Sequence, residues 1–122
     1  MFQLLYKVTS PGVIEEYIDT VIKATDTIVK SEDGNVISDI PVRKELYQGQ
    51  TPQTFKFSLI MQAHESVKDK EIPNVTDDTK LVLLLGHDVH LVEGDKLNFK
   101  ITTFDDLMML KALLKIGKYD VL

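Results

Sequence analysis

Tyr47-Gln48-Gly49-Gln50-Thr51-Pro52-Gln53-Thr54-Phe55 is the stretch on which the reading of this 122-residue chain turns. Pro52 fixes its own φ and removes a backbone donor, so an ordered turn is expected at Thr51-Pro52 in place of regular structure. Upstream the chain is rich in β-branched residues. From Thr20 to Val29 these are Thr20, Val21, Ile22, Thr25, Thr27, Ile28 and Val29, a composition that suits a pleated, partly buried strand. Glu32-Asp33-Gly34-Asn35 reads as a turn, Val36–Ile40 as the return strand and Pro41 as its end, so the pair predicts a hairpin. Before it, Thr9-Ser10-Pro11 followed by Val13, Ile14, Glu15, Glu16, Tyr17 and Ile18 reads as a short capped helix.

Downstream the period changes to that of helices. Leu59, Ile60, Ala63 and Val67 share one face of a helix expected over Phe57–Val67, followed by a loop from Lys68 to Asn74. Thr76-Asp77-Asp78 ahead of the apolar run Leu81–Leu85, with Gly86 just beyond, marks both limits of a second helix. Val89–Glu93 and Asn98–Thr102 read as short strands about a Gly94-Asp95 turn. Thr103 with Asp105 and Asp106 then opens a last helix carrying Leu107, Leu110, Leu113 and Leu114. Helices interleaved with strands in this order predict an α/β or α+β fold with a mixed sheet.

The composition limits what such a chain can do. At 122 residues there is room for one domain, and 43% hydrophobic with 27% charged residues is ordinary for a soluble globular protein. No run approaches the ~18 apolar residues of a membrane span, and the start of the chain lacks the charge order of a secretory signal, so a cytoplasmic protein without membrane contact is expected. The absence of cysteine excludes thiol nucleophiles, thiolate metal sites and disulfides. With fourteen basic residues scattered among nineteen acidic ones, and a net charge of -5, nucleic-acid binding is disfavoured while a local anion pocket stays open. His87 and His90 fall on opposite faces of an expected strand and His64 lacks an evident partner, so all three are assigned to structure and no metal ligand set is read.

Four motifs, taken together, resemble the C-terminal half of the cytidylyltransferases acting on methylerythritol phosphate and ribitol phosphate. They are Ala24-Thr25-Asp26-Thr27-Ile28, the Tyr47–Phe55 segment, Val75-Thr76-Asp77-Asp78, and Asn98-Phe99-Lys100-Ile101-Thr102-Thr103 with Asp106-Leu107. The resemblance is continuous from Ala24 to about Lys115, and Tyr47-Gln48-Gly49 before Gln50 looks more like the ribitol 5-phosphate branch, which serves teichoic acid synthesis, than the isoprenoid branch. It implies the C-terminal part of a Rossmann-like, GT-A-like nucleotidyltransferase of three layers, residues 1–122 forming one partial domain with a β-hairpin arm at about 28–50 that makes a homodimer.

The same resemblance implies an activity: transfer of CMP from CTP to a polyol phosphate, giving a CDP-polyol and pyrophosphate. Thr27, Arg43, Thr51 and Thr76 match positions around the polyol phosphate, and Lys100 matches a lysine that holds phosphate and stabilises transition-state charge. Such a reaction needs positioning and charge compensation, which Arg43 as a bidentate fork and Lys100 as a point charge would supply. Read without the resemblance, each has a plainer role: Arg43 as a solvated charge, Lys100 and Thr27 as strand residues, Thr51 in a turn, Thr76 in a helix cap. Mg2+ is the cofactor implied, with most of its ligands expected in a nucleotide-binding half that this sequence does not match. The six glycines, at 12, 34, 49, 86, 94 and 117, never cluster into the family's phosphate-wrapping loop. The chain alone is therefore expected not to turn over CTP, and a truncated, non-catalytic dimerisation or binding module is the alternative.

Overall fold

The computed structural model describes residues 17–72 and 75–117. Its centre is strand β1 (Tyr17–Lys23), in which Tyr17, Ile18, Asp19, Thr20 and Val21 are all buried. A strand buried on both faces needs partners on both edges, and β1 has them: β2 (Tyr47–Phe55) runs antiparallel on one side and β3 (His90–Glu93) parallel on the other, giving the order β2-β1-β3. The mixed sheet expected from the sequence is present. Asp19 faces Gln53 and Thr20 faces Gln50, so β2 carries two extra residues, Thr51 and Pro52, at that step. What reads as a turn in the sequence is thus a bulge within a nine-residue strand, with a cis Thr51-Pro52 peptide. Thr20 anchors it by donating its hydroxyl to the Pro52 carbonyl at 2.7 Å.

Three expectations are corrected here. Tyr17 and Ile18 belong to β1 and not to a preceding helix, whose remaining residues at 13–16, with the Thr9-Ser10-Pro11 cap, lie outside the described residues. β1 ends at Lys23 and not at Val29, because β3 reaches only to Val21 and β2 begins opposite Lys23, leaving residues 24–29 without a ladder. Asn98–Thr102 is not a strand: the Asp106 carboxylate accepts from the backbone N–H of Thr102 at 2.9 Å and Thr103 at 2.7 Å, taking donors a strand would commit to a neighbour. The hairpin keeps its turn but is closed by a single bridge, Lys30 to Asp39. Its tip is organised by Asp33, whose carboxylate accepts from Val36 and Asn35 N–H and is lowered below the usual range by them, while Gly34 takes φ 77°.

The three helices expected after β2 form where the sequence places them. α1 (Phe57–Val67) and α2 (Asp78–Leu84) cover the sheet with a core of Tyr17, Ala63, Leu81 and Val82, flanked by Phe55, Leu59, Ile60, Val67, Leu85 and Val89. Burying a side chain such as Val82, which has no exposed surface, contributes on the order of 1.5–3 kcal/mol. The N-cap of α2 is Asp77, one residue beyond Thr76, its carboxylate accepting from Lys80 N–H, and Gly86 closes the helix at φ 83°. His64 on α1 reaches Asp78 on α2 at 2.9 Å, and His87 stacks near Tyr17 with ring centroids 5.3 Å apart, so two of the three histidines have structural partners. α3 (Phe104–Lys115) begins in a capping box between Thr103 and Asp106. The hydrogen bonds to Thr102 and Thr103 hold the Asp106 carboxyl down at about 2.

Candidate functional site

The five residues singled out in the sequence are all exposed, and their hydrogen-bonded surroundings fall into two groups. One group gathers at the bulge of β2. Asn98 donates its side-chain amide to the Thr51 carbonyl at 2.6 Å, which brings the segment leading to Lys100 against the bulge. Gln50, one residue before Thr51, donates to the carbonyl of Asp95 at 2.9 Å and accepts from the N–H of the same residue at 3.3 Å. On the other side of the bulge, Gln53 donates to Asp19 at 3.3 Å and to Asp77 at 3.2 Å, and Asp77 is the neighbour of Thr76. Thr51, Thr76 and Lys100 are therefore each carried by a segment tied to one short stretch, Gln50–Gln53.

The second group lies on the two segments that flank the Lys30–Asp39 bridge of the hairpin. Arg43, in a 3-10 turn (Arg43–Glu45), donates to the Thr25 carbonyl at 3.2 Å, two residues from Thr27. This ties Arg43 to the segment that carries Thr27, and the described hydrogen bonds do not link either residue to the bulge. Lys100 is exposed, and among the described residues no carboxylate forms an ion pair with it. An exposed cation without an ion-pair partner is free to meet an anion.

Residues that the sequence reading passed over complete this picture. Asp19 is buried within β1, accepting from Gln53 and, at 3.4 Å, from the Thr79 hydroxyl. Burial raises its pKa most, the Gln53 amide draws it partly back, and nearby Asp77 pushes it up again. The one signal in the sequence was an acid inside an otherwise β-branched run. Mg2+ does not fit the described residues: no group of three or more His, Asp or Glu side chains gathers there, and the Asp19 and Asp77 oxygens are engaged by Gln53, Thr79 and Lys80.

Residues 10–116 match the family described as IspD, 2-C-methyl-D-erythritol 4-phosphate cytidylyltransferase. The chain belongs to this family. Among solved structures, the 2-C-methyl-D-erythritol 4-phosphate cytidylyltransferase of Thermus thermophilus is 32% identical with a TM-score of 0.80, covering 93% of this chain and 55% of that one. The 4-diphosphocytidyl-2C-methyl-D-erythritol synthase of Anaerococcus prevotii is 31% identical with a TM-score of 0.79, the match covering 93% of this chain and 52% of the other. The chain thus spans about half the length of these IspD relatives. Among the described residues no helix is long and apolar enough to cross a membrane.

Proposed function

We propose that this chain carries the polyol-phosphate side of a cytidylyltransferase reaction, in which CMP passes from CTP to a sugar-alcohol phosphate and pyrophosphate leaves. The observation that carries the reading is the gathering of the Thr51, Thr76 and Lys100 segments at the β2 bulge by Gln50, Gln53 and Asn98. In the reaction, a phosphate oxygen of the polyol phosphate attacks the α-phosphorus of CTP, one P–O bond forms, and the bond to the bridging oxygen of pyrophosphate breaks. Lys100 compensates the charge that builds on the oxygens, and the Thr51 and Thr76 hydroxyls orient the acceptor. Thr27 contacts the polyol phosphate, and Arg43 acts from beside the arm, which in this reading crosses to a second copy of the chain. Val29, Val36, Ile37, Ile40 and Val42 are half or more exposed there and suit such a contact. Because the glycines never cluster, the nucleotide phosphates have no wrapping loop in this sequence, and the chain by itself does not turn over CTP.

Two acceptors fit the chemistry. The family and its solved members favour 2-C-methyl-D-erythritol 4-phosphate, whereas Tyr47-Gln48-Gly49 ahead of Gln50 favours ribitol 5-phosphate. The two differ by chain length and a methyl branch, worth ~1–3 kcal/mol of discrimination in a pocket. Titration of the isotope-labelled chain with each acceptor tests the reading: amide shifts at Thr51, Thr76 and Lys100 with a tighter constant for one acceptor are expected, and an absence of shifts with both refutes it. Pyrophosphate release from CTP and either acceptor by the purified chain would overturn the claim that it is inactive alone. A sedimentation profile that stays monomeric at high concentration would remove the dimer.

A further inference from the structure

Gln50 sits on β2 opposite Thr20, yet its amide bonds to Asp95, which follows β3 on the far edge of β1. The side chain therefore passes beside the central strand and ends as a two-point clamp on a backbone 45 residues away. The glycine next to that contact supports it. A Cβ on Gly94 would land on the Gln50 carbonyl oxygen and 3.0 Å from the Thr20 methyl, so the space that a side chain would fill is occupied by the Gln50 amide. Asp95 in turn caps its own turn, accepting from Leu97 N–H at 2.8 Å and from Asn98 N–H through its carbonyl at 3.0 Å. Asn98 returns to the Thr51 carbonyl. A closed circuit of hydrogen bonds, Gln50 to Asp95 to Asn98 to Thr51, joins adjacent residues of β2 through the segment that leads to Lys100.

We infer that Gln50 is a positioning residue for the acceptor phosphate: its amide fixes the 95–100 segment, and through it Lys100, against Thr51. The inference rests on the proposed polyol-phosphate reading. Gln50 touches no substrate in this scheme. Its effect is to remove freedom from the lysine's backbone before the anion arrives, which is the condition for a point charge to favour one phosphate position.

The test uses the full chain, Gln50→Met, which keeps the length of the side chain and loses both hydrogen bonds, and Gln50→Glu, which keeps the acceptor and loses the donor. Both are made with Lys100 and in a Lys100→Gln background. Two quantities are read: hydrogen exchange at the Asp95 and Asn98 amides, and affinity for ribitol 5-phosphate and 2-C-methyl-D-erythritol 4-phosphate by NMR titration. Removal of the clamp is expected to speed exchange about tenfold and to weaken the better acceptor about tenfold, with Gln50→Glu intermediate. In the Lys100→Gln background the affinity loss is expected to vanish, because the clamp acts only through that lysine. Unchanged exchange overturns the inference. So does an affinity that stays the same, or one that falls equally in both backgrounds, which would mark a general structural role. If Gln50→Met does not fold, Gln50→Glu is judged by the same outcomes. If the unsubstituted chain binds neither acceptor, the functional reading itself has failed and the inference falls with it, a result visible before any variant is made.

Discussion

Replacing Gly94 by alanine probes the close packing of β3's end against Gln50 and Thr20. The backbone at Gly94 is not in the left-handed region, so alanine is tolerated conformationally and gains about 0.4–1 kcal/mol from a less free unfolded chain. Against this stand two costs. The new methyl displaces the Gln50 amide from Asp95, losing two hydrogen bonds of about 0.5–1.5 kcal/mol each. It also presses at 3.0 Å on the methyl of Thr20, a residue with no exposed surface and no room to yield, an overpacking worth about 1–3 kcal/mol. The net expectation is destabilisation by about 3 kcal/mol, which at a urea dependence of about 2 kcal/mol/M lowers the unfolding midpoint by about 1.5 M. In a Gln50→Ala background the obstructing amide and its hydrogen bonds are already gone, so the same glycine change is expected to cost only about 1 kcal/mol. Urea titrations of the four proteins, followed by circular dichroism, measure the coupling. If the Gly94 and Gln50 costs add to within about 0.5 kcal/mol, the amide does not occupy the glycine's space and the reasoning is wrong.

Further outcomes follow from other residues. Under the proposed function, Lys100→Ala is expected to weaken acceptor binding about tenfold in the NMR titration, while urea unfolding of the chain is unchanged. Asp19 has a raised pKa, so its charged form is disfavoured by folding and the penalty is present above that pKa and relieved on acidification. Asp19→Asn is accordingly expected to raise the melting temperature more at pH 8 than at pH 4, and an equal shift at both would refute the assignment. Asp106 is shifted the opposite way, to about 2, so its capping contribution is complete above the usual aspartate value near 3.8 and is lost as pH falls toward 2. Carbon-detected NMR of the carboxyl reads that titration directly, and Thr103→Ala is expected to cost about 1 kcal/mol by removing the cap of α3. Val82→Ala should cost about 2 kcal/mol in chemical unfolding, since the side chain is fully enclosed by the core.

Much of the local structure could be read from the chain because its causes are local. Thr103 and Asp106 form a reciprocal cap three residues apart, Gly86 supplies the positive φ that ends α2, and Asp33 with Gly34 shapes the arm's tip. What could not be read depends on partners far along the chain. β1 stops at Lys23 because its neighbours do, a limit that the β-branched residues up to Val29 do not encode. Asn98–Thr102 carries strand composition, but Asp106 claims its backbone donors. The motif residues Gln50, Gln53 and Asn98 were visible as a pattern, yet their roles lie in contacts across 45, 24 and 47 residues. Asp19 bonds to Thr79 across 60 positions, beyond the reach of any periodicity.

The mixed pairing of β1 also sets an order of assembly. Its antiparallel partner β2 lies some thirty residues away and can close first as a self-contained ribbon, whereas β3 pairs Ile18 with His90, after two helices have intervened. Long-range parallel pairing must wait until the chain entropy of that larger loop has been overcome, so it belongs late on the folding route. The Lys100 segment follows β3 and is bolted to β2 only once β1 lies between them. Pulse-labelled hydrogen exchange is expected to protect Ile22 and its β2 partner Gln48 before the amides of Val21, Gly94 and Asp95, since the Val21 carbonyl accepts from Gly94 on the β3 edge. The Lys100 segment then reaches its place against the β2 bulge in the same event that completes the sheet, and a chain caught before that event would hold the bulge without it.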